Sequence, residues 1–119
     1  MKIDRTSATE GLPLQPEWFE GPGTRQSVAE IPEPQAVVAV VAFEPGARTH
    51  WHRHTDGQVI FVLDGTGRTA TREEAEVAIE TGDVVYVGPD EEHWHGATEE
   101  TAMRHVAISF GKTVWLDPV

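Results

Sequence analysis

The segment QVIFVL (58–63) sets Val59, Phe61 and Leu63 on one side of an extended chain and Ile60 and Val62 on the other. A strand with one solvated face alternates apolar with polar residues, so this one has to be covered on both sides. AVVAVVAF (36–43) has the same character and stops at the turn signal Glu44-Pro45-Gly46. No stretch sustains a 3.6-residue period, and even EEAEVAIE, bounded by turn signals, reads as strand over 75–80. Asp64-Gly65-Thr66-Gly67 predicts a hairpin leading into GRTAT, and Thr81-Gly82 leads into a strand DVVYV (83–87) that ends at Gly88-Pro89. MRHVAISF (103–110) is the last strong strand. Short strands covered on both faces within one small domain call for an all-β fold, a double-sheet barrel with an arm or a partner against its outside.

Residues 1–35 differ in composition. They hold Pro13, Pro16, Pro22, Pro32 and Pro34, with Gly11, Gly21 and Gly23 between them. Proline removes a ladder donor and disfavours helix at itself and at the residue before, so this part is expected as an extended arm, with the barrel over 36–119. Trp18 and Phe19 are too large and apolar to be left in water, which directs the arm onto the barrel or onto a second subunit. With the doubly apolar strands, this predicts a homodimer.

Composition removes several functions. Cysteine is absent, which excludes disulfides, thiolate zinc sites and cysteine nucleophiles. A formal charge of −11 repels phosphate backbones and anionic lipid, so neither nucleic acid nor a membrane is an expected partner. No apolar run approaches bilayer length and MKIDRTSATEG has no hydrophobic signal region, which points to a cytoplasmic protein.

The chemistry is concentrated in histidine. All six lie at 50, 52, 54, 93, 95 and 105, five of them in two short segments, HWHRHTDGQ and HWHG. Alternate side chains of a strand share a face, so His52 and His54 point together, away from Trp51 and Arg53. Two such imidazoles can reach one ion, and His93 is the natural third donor from another strand. A lone histidine is more often a hydrogen-bonded core or surface residue, but this clustering without competing cysteine favours a metal site. His50 and His95 share the parity of the proposed ligands and are expected at the rim or behind them, orienting the ligand rings. In the last strand, Met103, His105, Ala107 and Ser109 share a face that is expected to look into the barrel. There His105 can serve as a proton acceptor or simply bond a backbone carbonyl.

Gly46, His52, His54 and Gly65 resemble the first cupin motif, Gly-x5-His-x-His-x3-Glu-x6-Gly, with Gln58 at the glutamate position. Gly82 to His93 is similar in spacing to the second, Gly-x5-Pro-x-Gly-x2-His-x3-Asn, with Gly88, Asp90 and Ala97 at the Pro, Gly and Asn positions and Pro89 displaced by one. The resemblance implies a jelly-roll barrel. FEPGARTHWHRH, GDVVYVGPDEEHWHGA, TAMRHVAI, the Trp18-Phe19 pair and VWLDPV are further similar to the small cupins that include the bacterial manganese-dependent hydroxynitrile lyases. That likeness implies His52, His54, Gln58 and His93 as metal ligands, His105 as acid/base, and Ala39 and Val41 as pocket lining. It also implies one divalent transition metal per chain, manganese foremost, although the same donors accept iron, nickel, cobalt or zinc.

Neutral Gln58 in place of glutamate leaves the ion its full positive charge, which suits Lewis-acid chemistry on a small neutral molecule such as a cyanohydrin. The bland alternative for Gln58 is a strand-start side chain bonded to nearby backbone. Two other functions fit the same residues: a metal-dependent dioxygenase, and a non-catalytic cupin that holds a small ligand.

Overall fold

The computed structural model describes all 119 residues. Twelve strands form two antiparallel layers that share one long strand. The first layer runs β1 (Leu12–Pro13), β3 (Gly23–Pro32), β4 (Gln35–Phe43), β11 (Met103–Phe110), the start of β7 (Gln58–Thr71), and β9 (Val84–Val87). The second joins β2 (Phe19–Glu20), β5 (Arg48–Thr49), β10 (His93–Ala97), the end of β7, and β8 (Val77–Glu80). Here β6 (His52–His54) pairs with both β10 and β12 (Thr113–Trp115).

The hairpin expected at Asp64–Gly67 is absent. Instead β7 continues for 14 residues and bends from one layer into the other. Its register against β11 shifts between Arg104 and His105, where Leu63 is the unpaired extra residue of a bulge. Gly65 has φ +87°, and a Cβ there would overlap the Ala102 carbonyl, so the glycine that reads as a turn is a strand corner.

The extended arm expected over 1–35 is only partly separate from the barrel. Gly23–Pro32 is a ten-residue strand paired along β4, so the sheet begins well before residue 36. Its polar residues and bounding prolines hide it in the sequence, because it needs only one apolar neighbour strand to be held. Residues 1–10 are exposed, tied down where Gln26 Nε2 donates to the carbonyls of Thr6 (2.6 Å) and Thr9 (3.1 Å).

Trp18 and Phe19 are used within the chain. Trp18 stacks on Trp115 with centroids 5.5 Å apart, and Phe19 meets both Phe43 and Trp115. Phe19, Val41, Phe43, Val62, Ile79 and Met103 form the core between the layers. The outer face of the first layer is not covered in this way. Phe61, Val84 and Tyr86 are exposed there, beside half-buried Val38, Val40, Val59, Val106 and Ile108.

Candidate metal centre

Strand parity and pairing bring the histidines together. His52 lies opposite His93 across β6 and β10, and the ring centroids are 4.2 Å apart. His54 is 5.0 Å from His52 and 5.6 Å from His93, and all three are buried. Gln58, the first residue of β7, reaches the same cluster and is itself buried.

The polar contacts of these side chains suit a cation. His52 Nδ1 donates to the His50 carbonyl at 2.9 Å, leaving Nε2 for the cavity. His54 Nδ1 meets Thr113 Oγ1 at 3.0 Å, and its Nε2 is buried without a partner. His93 is placed between two acceptors, the Glu91 carbonyl at Nδ1 (3.0 Å) and Gln58 Oε1 at Nε2 (2.9 Å). In this orientation Gln58 Nε2 donates to Ser109 Oγ at 3.0 Å, a contact the hydroxyl could also make as donor to the opposite amide orientation. Burial holds the His93 pKa below the usual value, so the ring is neutral at pH 7 and has one N–H. With the Gln58 oxygen toward the ring, one contact then sets lone pair against lone pair, whichever nitrogen carries it. A divalent ion that takes the His93 and Gln58 pairs removes that conflict and gives the bare His54 nitrogen a partner.

The sequence treats His95 as peripheral, but the structure does not. One nitrogen from each of His52, His93 and His95 lies within 4.8 Å of the others, a three-histidine group suited to a divalent metal. His95 Nδ1 is also 3.0 Å from His105 Nε2, which links that group to the proton acceptor expected on β11. Only its parity with His93 signals this in the sequence. His50 orients His52 through its backbone carbonyl, not its ring.

His105 is fully buried, and β11 presents it with Met103 and Ala107 to the interior. Its Nδ1 has no partner. Its cross-strand neighbour is Val41, and Ala39 lies opposite Ala107, so small side chains border the ring. His105, Val41, Ala39 and Ala107 line one cleft of about 60 Å³ with His52, His54, Gln58 and His95. Trp115, Phe19, Thr49, Thr113 and Ser109 complete its walls with Arg25; of these the sequence expects only Ser109 to face the interior and gives no sign of Thr49, Thr113 or Arg25.

Burial dominates the electrostatics. It drives the His54 and His105 pKa values down to about 4, and those of His52 and His95 well below normal, with neighbouring imidazoles adding to the effect at His52, His54 and His95. Between pH 4 and 6.5 the unfolded chain therefore binds more protons than the metal-free fold. Stability is full above about pH 6.5 and is lost as pH falls, by on the order of 3 kcal/mol for each of His54 and His105. Denaturant unfolding of chelator-treated protein at pH 7 and pH 4.5 checks this, and equal stabilities would contradict it.

Comparison with known proteins places the fold. A cupin domain family model matches residues 39–109. The (R)-mandelonitrile lyase of Granulicella tundricola is 40% identical over 124 aligned positions, covering 100% of this chain and 95% of that protein. A cupin-like protein from Thermotoga maritima superposes with a TM-score of 0.85 at 34% identity, over 92% of this chain and 86% of its own. A putative acetylacetone dioxygenase from Methylibium petroleiphilum shares the fold alone, with a TM-score of 0.81 at 12% identity over 100% and 85% of the two chains. With its two-layered barrel, its buried histidine group and these likenesses over most of its length, the chain belongs to the cupin family.

Proposed function

We propose that this cupin is a metal-dependent hydroxynitrile lyase, which cleaves a small neutral cyanohydrin to an aldehyde and hydrogen cyanide and catalyses the reverse addition. The observation that carries this reading is the unpartnered His105 Nδ1, buried in the same cleft as the histidine group. The 40% identity to a mandelonitrile lyase supports it.

In this reading His52, His54, Gln58 and His93 hold one divalent ion, manganese foremost. When bound, the ion supplies Lewis acidity undiminished by any anionic ligand, which acidifies a nearby hydroxyl. His105 Nδ1 accepts the hydroxyl proton, the electron pair of the O–H bond forms the carbonyl, and the C–CN pair leaves with cyanide. Cyanide takes that proton back from His105 and departs as hydrogen cyanide, which restores the neutral ring, and no oxidant or reductant enters. His95 holds His105 Nε2 and thereby fixes which ring edge faces the cleft. Ala39, Val41 and Ala107 leave room for the substrate beside that edge.

The test is mandelonitrile cleavage by manganese-loaded protein, followed as benzaldehyde release in air and under argon. Equal turnover in both is expected. Turnover that vanishes without oxygen would assign an oxygenase instead, and no turnover with any of manganese, iron, nickel, cobalt or zinc would leave a ligand-binding cupin.

We also propose a homodimer, paired through the exposed apolar face of the first layer. A chain of net charge −11 repels its own copies, and this face offers a second copy an apolar centre of Val40, Val106, Phe61, Val84 and Tyr86, its nearby Arg104 already paired with Asp64. Light scattering at micromolar concentration should give twice the chain mass, and Phe61→Asp should reduce it to one chain. A monomeric wild type would end the idea.

A further inference from the structure

Arg25 stands apart from the other arginines near the barrel. Arg48, Arg53, Arg68, Arg72 and Arg104 each pair with a carboxylate, although the chain carries an excess of acids. Arg25 makes no ion pair and no side-chain hydrogen bond, yet its side chain lines the cleft of the histidine group. The register explains how it gets there. Arg25 lies opposite Val41, and Val41 opposite His105, so the three share one inward row. Two strand spacings, roughly 10 Å, separate the Arg25 and His105 backbones, a span that an extended arginine largely covers.

The rest of the lining contains no aspartate or glutamate. Its histidines are kept neutral by burial, and its other polar groups are Gln58, Ser109, Thr49 and Thr113. Arg25 is itself an exposed residue of β3, so its guanidinium keeps contact with solvent while lining the cleft, and the neighbouring protein lowers its pKa without supplying a counter-charge. A chain of charge −11 thus keeps a cleft with one unpaired cation and no anion.

We infer that Arg25 is a carboxylate-binding residue of this cleft, and that the site takes small 2-hydroxycarboxylates, with the carboxylate on the guanidinium and the hydroxyl directed to His105. The planar fork of arginine matches both carboxylate oxygens, which a neutral nitrile cannot offer. This rests on the cleft being the reaction site, but not on which bond is broken there.

The experiment is calorimetric binding of (R)-mandelate and of neutral (R)-mandelamide to wild type and to Arg25→Gln, each with and without manganese. Wild type should prefer mandelate by about 10-fold or more, the range of one charge-assisted hydrogen-bonded pair. Arg25→Gln should remove the preference at unchanged metal content, and Arg25→Lys should restore part of it. Equal preference in wild type and Arg25→Gln overturns the inference. Because the readout is binding, loss of preference in a protein inert toward mandelonitrile would sink the lyase and keep the carboxylate site. Cleavage of mandelonitrile with an unaltered preference in Arg25→Gln would do the reverse.

Discussion

His93→Ala is expected to lose its metal: wild type purified in manganese should carry about one ion per chain by mass spectrometry, and the variant close to none. The size of the effect follows from where His93 stands. It faces His52 across the strand pair at 4.2 Å between ring centroids and meets Gln58 Oε1 at 2.9 Å, so its removal deprives the cluster of a donor next to two others. Loss of an outer residue that merely orients a ligand weakens metal binding by about 10–100-fold, and loss of a ligand should exceed that. The unpaired Gln58 carbonyl left behind adds a buried unsatisfied group. Circular dichroism separates metal loss from unfolding, and His93→Gln, which keeps an oxygen donor, should retain part of the affinity. Wild type that takes up no ion after reconstitution would remove the enzyme reading altogether.

His105→Ala is the second large effect, of another kind. The variant should keep its metal while kcat/KM for cyanohydrin cleavage falls by about 10²–10⁴, the usual contribution of a positioned acid/base group, equivalent to about 3–5 kcal/mol of barrier. The split between metal content and turnover is the diagnostic part. His105 lies on β11, outside the strands that carry His52, His54, Gln58 and His93, and its only side-chain partner is His95. Full cleavage by His105→Ala with metal bound would show that the proton goes elsewhere.

The legible parts of this protein were those governed by period-two patterning. MRHVAISF was read with its boundaries and with His105 inward because Met103, His105 and Ala107 alternate with residues that face out. The joining of His52, His93 and Gln58 was legible only through motif spacing, since which strands pair is a long-range matter. Glycine misled at 64–67, because a left-handed Gly65 serves a bulge as well as a turn, and only the partner strand decides between them. β3 was missed because polar Thr24, Gln26 and Glu30 give no apolar run, and its place comes from pairing with β4. Arg25, and the contact of His95 with His105, were missed for one reason. Their importance depends on cross-strand neighbours, which leave no trace along the chain.

The pairing of β12 with β6 also bears on the order in which the molecule is made. Trp115 lies opposite His52, Thr113 opposite His54, and Trp115 stacks on Trp18 from the start of the chain. Every strand that carries a histidine of the cluster leaves the ribosome before Thr113–Trp115 does. Until that segment emerges, His54 lacks the hydroxyl that holds its ring and β6 keeps an open edge. β11, which joins β4 to β7, ends only at Phe110, so the strand that completes the first layer and the segment that poses His54 arrive almost together. Closing the barrel and posing the His54 ring are thus one late event of folding, not two.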